Sequence, residues 1–113
     1  MKGLDHLLVL WLLHRVPSRL RLLHALRAGE VLVMECCSTY AINPGRVYAH
    51  LARLETRDQV TSWWREDGRR LYALVPNWTP RSYSDVLTPD VAARLDHLVA
   101  LRTMARQQAR PNS

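Results

Sequence analysis

The amino-acid sequence predicts a mainly α-helical fold with one small β-hairpin. Two observations favour this class. Apolar residues recur at helical spacing in five separate stretches, and a single pair of stretches around a turn sequence is rich in β-branched and aromatic residues. The chain has 113 residues, of which 48% are hydrophobic and 23% are charged. This size and balance suit one globular domain and leave no room for a separate catalytic domain.

The first predicted helix covers residues 4–14 and is almost entirely apolar. Leu4, Leu8 and Trp11 recur at helical spacing, and Leu7 and Leu12 widen the stripe. Such a helix has to be covered, and a chain this small can need a second subunit to cover it. The run is shorter than the roughly 20 apolar residues that span a bilayer, and no signal-peptide cleavage site follows it. We therefore expect no membrane role.

Two further helices follow. Val16-Pro17-Ser18 interrupts the helical pattern, because proline disfavours helical geometry in the residue before it and Ser18 can cap the next helix. That second helix is predicted over residues 19–28, and Gly29 is its expected end. A third helix is predicted over 31–38, and a short turn follows at 40–43. On the second helix the expected buried residues are Leu20, Leu23 and Leu26, and the expected solvent-facing residues are Arg19, Arg21 and Arg27.

The fourth predicted helix begins at Asn43-Pro44 and extends to about residue 57. Asparagine caps helices well, and proline is preorganised for the first helical position. This helix carries two stripes. The first is apolar and should pack on the core, with Tyr48 beside it: Val47, Leu51 and Leu54. The second repeats the same spacing one residue out of step and forms a basic strip: Arg46, His50, Arg53 and Arg57. Alone, such a strip is equally compatible with an ordinary solvated face.

The hairpin is predicted over residues 60–65 and 71–75, because Glu66-Asp67-Gly68-Arg69 between them is a turn sequence. Residues 77–83 follow Pro76, contain Pro80 and are predicted to be a linker. Thr88-Pro89-Asp90 then gives the start of a last helix, which extends to about residue 108 with an apolar stripe at Val91, Leu95 and Leu98. Three helices followed by a two-stranded wing form the winged-helix arrangement, here with an extra helix at each end.

The charge of the chain favours a polyanionic partner. The net charge is +6, and all but one of the 16 basic residues are arginine, which can grip a phosphate or a guanine edge with two parallel hydrogen bonds. An α-helix fits the major groove of double-stranded DNA, and a hairpin can lie along the neighbouring backbone or minor groove. The prediction is that the basic edge of residues 43–57, flanked by the hairpin, enters a duplex.

The expected DNA contacts come from the fourth helix, the turn before it and the hairpin tip. Gly45 would let the backbone approach closely, and the helix start offers free amides to a phosphate. The full set of expected contacts is Thr39, Tyr40, Asn43, Gly45, Arg46, Ala49, His50, Arg53, Arg65, Arg69 and Arg70.

Three stretches of the sequence resemble the recognition helix and wing of the PadR family of transcriptional regulators: residues 43–55, residues 60–62 and the Gly-Arg-Arg segment 68–76. Together they cover about a third of the chain. The chain departs from the family pattern at Asp58-Gln59, where relatives usually have glycine then leucine, and its wing turn at residues 66–68 is shorter and more acidic.

Membership would imply a homodimeric regulator that binds a palindromic operator and usually represses. The C-terminal helix would join the N-terminal helix in the dimer interface, and Trp11 would line a central cavity for a flat hydrophobic effector, as in some relatives. The predicted segments are then a dimerisation helix at 1–15, a DNA-binding domain at 16–77, a linker and second dimerisation helix at 78–109, and a tail at 110–113. The expected dimer contacts are Leu4, Leu8, Trp11, Val91, Leu95, Leu98 and Leu101.

Other functions remain open as alternatives. A winged-helix module that binds a protein instead of DNA would share the same elements. A thiol-based metal sensor would use the adjacent Cys36 and Cys37, but side chains of neighbouring helical residues point in different directions, and zinc wants about four well-spaced ligands. Two buried, reduced thiols in a cytoplasmic protein are the simpler interpretation. No catalytic triad order, carboxylate pair or phosphate-binding glycine loop is present, so the sequence predicts neither an enzyme nor a cofactor.

Overall fold

The structure is a computed structural model that describes the backbone of residues 2–76 and 87–109 and the side chains of residues 6–76 and 87–108. Within these ranges the chain is mainly helical, with a small antiparallel sheet of three strands. The helices are α1 Lys2–Arg15, α2 Ser18–Ala28, α3 Val33–Tyr40, α4 Pro44–Thr56 and α5 Pro89–Ala109. The strands are β1 Val31–Leu32, β2 Val60–Trp64 and β3 Arg70–Leu74. Most of the predicted linker and the tail at 110–113 lie outside the described residues.

The predicted helix starts at Asn43 and Thr88 are confirmed. The Asn43 side chain accepts a hydrogen bond of 2.8 Å from the backbone amide of Gly45, with Pro44 at the first helical position of α4. Thr88 Oγ1 accepts a 3.3 Å hydrogen bond from the Val91 amide at the start of α5. The predicted cap at Ser18 is wrong, because Ser18 is the first residue of α2 and makes no side-chain cap there.

Two residues with positive φ end α3 and α4. Ala41 (φ 55°) follows α3, and Asp58 (φ 56°) follows α4. After α4, the Gln59 amide donates to the Leu54 carbonyl and the Asp58 amide donates to the Glu55 carbonyl. This is the Schellman pattern, which normally has glycine in the left-handed position. The departure from glycine at residue 58 therefore leaves the helix end in its usual geometry.

The sheet contains one strand, β1, that was not predicted from the sequence. Residues 31–32 were predicted to begin the third helix, but they pair with β3 in the register Val31↔Tyr72 and Leu32↔Leu71. Strand β3 lies in the centre, between β1 and β2. The apolar run at 31–33 suits a buried strand and a buried helix equally, so periodicity alone could not separate them.

The predicted hairpin of β2 and β3 is confirmed. Its register runs from Val60↔Leu74 to Trp64↔Arg70, and Gly68 has a φ of 82° in the three-residue loop 66–68. A loop of three residues with a left-handed glycine is a common hairpin connection. Because side chains alternate across a strand, Trp64 and Tyr72 share one face of the hairpin and Trp63 lies on the other.

Two clusters of buried side chains form the core. The first lies among α2, α3, α4 and the sheet, where Leu22, Val47 and Leu51 are almost fully buried. The second joins α1 to α5 and to the start of α2 through Leu13, Leu20 and other apolar residues. Helix α5 also reaches α2 and α3 by polar contacts, since Asp96 pairs with His24 at 2.5 Å and Arg102 donates to the Ser38 carbonyl at 2.9 Å. No helix in the described part of the chain is long and apolar enough to cross a bilayer.

Two of the predicted dimer contacts belong to this core. Leu95 and Leu98 are 0% and 3% exposed, because α1 and α5 of the same chain pack on each other through them. The prediction that they form the surface of a dimer was therefore wrong. Val91 is half-buried and packs against the same cluster.

Candidate nucleic-acid interface

Helix α4 has one buried face and one exposed face, as its two stripes predicted. Val47 and Leu51 are buried, and Leu54 is half-buried against the first cluster. Arg46, Ala49 and Arg53 are exposed, and His50 is half-buried. The arginines lie seven residues apart, which is about 10 Å along a helix. The helix therefore presents two guanidinium groups on one edge, one on either side of His50.

The basic edge and the hairpin border opposite sides of α4. On one side, His50 Nε2 lies 3.0 Å from Ser18 Oγ at the start of α2. On the other side, Glu55 approaches Arg70 of β3, with 3.5 Å between Oε2 and Nη2. The hairpin therefore flanks α4 on the border opposite the basic strip. Between the two borders α4 exposes small residues: Gly45, Ala49 and Ala52.

Gly45 has a local reason to be glycine. A Cβ at this position would lie 3.1 Å from Asn43 Oδ1, the atom that accepts the capping hydrogen bond. The Asn43 side chain is therefore engaged in holding the helix start. Both residues are exposed at that end of α4, where the unpaired amides of the first turn carry a partial positive charge.

Arg19 was predicted only to face solvent on α2, but it also lies beside the basic strip of α4. The pKa of His50 is lowered, first because partial burial penalises the imidazolium and then because Arg53, Arg46 and Arg19 repel it. Ser18, the neighbour of Arg19 in the chain, contacts His50 at 3.0 Å, so the start of α2 borders this part of α4. We name Arg19, Arg46, His50 and Arg53 the basic edge. No spacing rule within one helix could have linked α2 to α4.

Tyr40 is not available to a ligand. Its side chain is 6% exposed within the first cluster, and its hydroxyl lies 2.5 Å from His24 Nδ1. Burial, with Cys36 and Asp96 nearby, raises the pKa of this hydroxyl above its usual range. The prediction that Tyr40 contacts DNA was wrong, because the end of α3 turns into the core. Thr39 beside it is half-buried.

Arg21 is buried and not solvent-facing. Its Nε donates to the Val16 carbonyl at 3.0 Å, and its Nη1 donates to the carbonyls of Tyr40 and Ala41 at 2.9 and 2.7 Å. The side chain thus satisfies carbonyls at the end of α3 and fixes the turn into α4. Helical periodicity could not reveal this role, since the acceptors come from other elements.

The arginines at the hairpin tip are largely matched by carboxylates. Arg65 binds Asp67 with both Nε and Nη2, and Arg69 Nε lies 3.8 Å from the same carboxylate. The hydrogen bond from Arg65 is the main reason that the pKa of Asp67 falls to about 2. Arg70 donates to Ser62 Oγ and approaches Glu55. The three arginines are exposed, but the hairpin carries little net positive charge.

A cavity of about 520 Å³ lies between α3, α4 and the hairpin. We call it the hairpin cavity; its lining consists of residues 32–35, Tyr48, Trp64, residues 68–70 and Tyr72. The prediction that Tyr48 packs beside Val47 was wrong, because Tyr48 is 53% exposed at the mouth of this cavity. The residue after a buried helical residue lies near the boundary between the buried and exposed faces. Spacing alone therefore does not predict whether the Tyr48 side chain is packed or exposed.

The terminal helices expose a second apolar surface. We call it the terminal-helix face: Leu7, Leu8, Trp11, Leu101 and Met104. Trp11 is 56% exposed, and a cleft of about 350 Å³ between α1 and α5 opens beside Leu8 and Leu101. Three predicted dimer contacts, Leu8, Trp11 and Leu101, lie on this face. The side chain of Leu4 lies outside the described ranges.

Cys36 is buried and Cys37 is half-buried. Burial is the main cause that raises the pKa of Cys36 to about 12, and burial also raises the pKa of Cys37. Both thiols therefore stay protonated at neutral pH, whereas metal binding and redox exchange need thiolates. Among the described residues, no group of three or more histidine, cysteine or acidic side chains is placed to bind a metal ion.

Comparison with protein-family models, with curated proteins and with solved structures found no match to this chain.

Proposed function

We propose that the chain is a winged-helix protein that binds double-stranded DNA as a homodimer and regulates transcription, as a repressor if the resemblance to PadR regulators extends to function. In this assignment α2, α3 and α4 form the helical unit, α4 is the recognition helix, and β2 and β3 form the wing. The observation that carries the proposal is the basic edge, where the exposed Arg19, Arg46 and Arg53 lie along the border between α4 and the start of α2 that His50 and Ser18 join.

The small outward residues of α4 suit entry into the major groove. A helix of about 10–12 Å diameter fits a groove about 12 Å wide, and Gly45 and Ala49 add little bulk on the face that would enter first. Arg46 and Arg53 then reach base edges or one phosphate strand, and Arg19 of α2 reaches the same strand. The wing lies on the other border and meets the second strand or the next groove.

The distribution of charge assigns most of the electrostatic affinity to the basic edge. Asp67 and Glu55 compensate the wing arginines, whereas the basic edge has no acidic partner within 4 Å among the described residues. Each phosphate contact should lower the slope of log affinity against log salt concentration by about 0.9. Variants of the basic edge are therefore expected to change the salt dependence more than variants of the wing.

The terminal-helix face supports the homodimer. Its five large apolar side chains stand in solvent on neighbouring parts of α1 and α5, and monomers rarely leave a contiguous apolar patch of more than a few hundred Å² uncovered. A two-fold dimer through this face would present two copies of α4 to one duplex, which requires a palindromic operator with half-sites about one helical turn apart. The same face holds Trp11, the proposed contact for a flat hydrophobic effector.

A second candidate is a winged-helix module that binds a protein. The observation that favours it is the wing, which combines compensated charges with an exposed Trp64. Such a module would not bind bulk genomic DNA at low salt, whereas the proposed regulator would.

Fluorescence anisotropy with sheared genomic DNA at low salt tests the proposal. Selection of bound fragments then supplies an operator, against which Arg46→Ala and Arg53→Ala are measured. We expect each variant to lose about 5- to 150-fold in affinity, as for a specific base contact. Arg94→Ala removes the same charge from the exposed side of α5 and is the matched control, expected within about twofold of the parent. Equal losses in all three variants, or none, would contradict the groove assignment.

A further inference from the structure

We propose that the hairpin cavity is a binding site for an unstacked nucleobase together with its attached phosphate. The chemistry is common to two sources, an unpaired base in DNA and a free nucleotide. The DNA source extends the function proposed above and depends on it, because α4 would deliver the strand to the cavity. Binding of a free nucleotide would not depend on the proposed DNA-binding function.

The walls of the cavity suit a flat aromatic ring. Tyr48 of α4 and Trp64 of β2 contribute two exposed aromatic rings from separate elements, and the largely buried Tyr72 of β3 also lines the cavity. Met34 and Val33 at the start of α3 add an apolar side. Every base has a π-face, and stacking on aromatic side chains is how proteins bind unpaired bases with little dependence on sequence. The volume of about 520 Å³ lies within the usual 300–1,000 Å³ of small-molecule sites.

Trp64 exposes a large aromatic ring on which a flat ligand can stack. It is 69% exposed, the largest exposed fraction among the large hydrophobic residues of the described ranges. Trp63, its neighbour in the chain, lies on the opposite face of the hairpin and does not line the cavity. A tryptophan directed at a concave, partly aromatic surface offers a ring that a base can cover.

The polar groups are placed for the rest of a nucleotide. The guanidinium of Arg70 lies 5.7 Å from the ring of Trp64 and 5.4 Å from the ring of Tyr72, so a planar cation already accompanies the rings. Arg69 lines the cavity from the tip, and its guanidinium approaches Asp67 only to 3.8 Å, which leaves most of the guanidinium donors for a phosphate. Glu35 lines it from α3 and can accept from an exocyclic amino group.

Charge argues against a closed duplex as the occupant of this cavity. Two phosphate strands would meet Asp67, Glu55 and Glu35 around a hairpin in which Arg65 and Arg70 are already paired with carboxylates. A single nucleotide brings one phosphate and a base, and the gain from stacking does not require an excess of positive charge. The cavity borders the outward face of α4 through Tyr48, so a strand displaced from a duplex on that face can reach it.

The test compares three probes with the same protein: a blunt 20-base-pair duplex, the same duplex with one unpaired 2-aminopurine bulge, and deoxyadenosine monophosphate alone. Anisotropy gives the two DNA affinities. The fluorescence of 2-aminopurine falls when it stacks on an aromatic ring, and calorimetry gives the affinity of the free nucleotide. The variant is Trp64→Ala, the matched control is Trp63→Ala, and Tyr48→Ala is a second variant. Thermal melting checks that each variant folds.

If an unpaired base is the ligand, the bulged duplex binds about 5- to 100-fold more tightly than the blunt one, its 2-aminopurine signal falls, and Trp64→Ala and Tyr48→Ala remove both effects while Trp63→Ala keeps them. If the free nucleotide is the ligand, it binds in a Trp64-dependent manner without any preference for the bulge. Equal binding of both duplexes together with no nucleotide binding overturns the inference. If the parent protein does not bind the blunt duplex, that result alone contradicts only the proposed function as a DNA-binding regulator. The nucleotide titration still tests whether the cavity binds a nucleotide.

Discussion

Arg21 and Arg19 lie two positions apart on α2 and have opposite roles. Arg21 points inward and donates to three backbone carbonyls, at Val16, Tyr40 and Ala41. Burial is the main cause that lowers its pKa, with Arg46 a second cause. Arg19 is exposed and joins the basic edge. We therefore expect Arg21 to contribute to stability and Arg19 to contribute to DNA binding.

We expect Arg21→Met to lower the free energy of unfolding by about 2 to 4 kcal/mol, because hydrogen bonds from a charged donor are lost and buried carbonyls are left unpaired. Arg19→Met should stay within about 0.5 kcal/mol of the parent, as for an exposed substitution, while weakening DNA binding. Urea denaturation and anisotropy measure the two quantities. A large loss of stability in Arg19→Met, or none in Arg21→Met, would contradict these roles.

His50 should couple DNA binding to pH. Partial burial and the arginines around it hold its pKa below the usual value, so the free protein carries a neutral imidazole at pH 7. Bound phosphates would offset the repulsion from Arg19, Arg46 and Arg53 and raise the pKa of His50 in the complex. The complex then holds more protons than the free protein, so affinity should rise as pH falls from about 7.5 to about 6.

Anisotropy at constant salt measures this dependence, with His50→Gln as the control because glutamine keeps a polar partner for Ser18 and does not titrate. Affinity in the variant should depend less on pH than in the parent. Equal pH dependence in both proteins would assign the effect to another group.

The end of α4 keeps the backbone geometry of a glycine-terminated helix although residue 58 is aspartate. Asp58 occupies the left-handed position of a Schellman motif at φ 56°. L-residues pay a steric penalty there that glycine does not. The chain keeps the turn into β2 because Gln59 and Asp58 donate to the Leu54 and Glu55 carbonyls.

Asp58→Gly is therefore expected to raise the free energy of unfolding by about 0.5 to 1 kcal/mol, and Asp58→Ala to lower it by a similar amount. Asp58 is exposed, so neither change removes packing. Thermal or urea unfolding of the three proteins gives the order. If alanine proves as stable as glycine at this position, the left-handed conformation is not what limits stability here.

The terminal helices α1 and α5 carry two sets of apolar side chains. One set packs inside the chain, and a neighbouring set is exposed. Leu95, Leu98 and Leu13 join α1 to α5 inside one chain. The terminal-helix face lies beside them and remains uncovered. The two terminal helices can therefore form a stable unit in the monomer and still offer a surface to a second copy.

We expect Trp11→Glu to convert a dimer into a monomer that keeps its fold, because Trp11 is 56% exposed within the chain and a buried carboxylate would oppose association. Sedimentation velocity gives the oligomeric state, and circular dichroism gives the helix content. DNA affinity should fall together with dimerisation. Met34→Glu makes a comparable change at an exposed residue of the hairpin cavity, away from the terminal-helix face, and should leave the oligomeric state unchanged. A dimer that survives Trp11→Glu would place the interface elsewhere.

Periodicity and local chemistry in the sequence determined the five helices, the hairpin, the caps at Asn43 and Thr88, and the division of α4 into buried and exposed faces. These features depend on interactions within a few residues, which spacing and capping rules describe. The strand β1 escaped because two apolar residues carry no period.

Which surfaces meet depends on contacts between residues that are distant in the chain, and these contacts are visible only in the folded molecule. Leu95 and Leu98 have the same spacing as the exposed Leu101, and Arg21 looks like Arg19 in the sequence, yet one member of each comparison is buried and the other is not. The same holds for Tyr40, which turns into the core, and for Tyr48, which opens onto the hairpin cavity. Periodicity predicts that a helix has an apolar side. The element that packs on that side is formed by residues distant in the chain, so periodicity does not predict it.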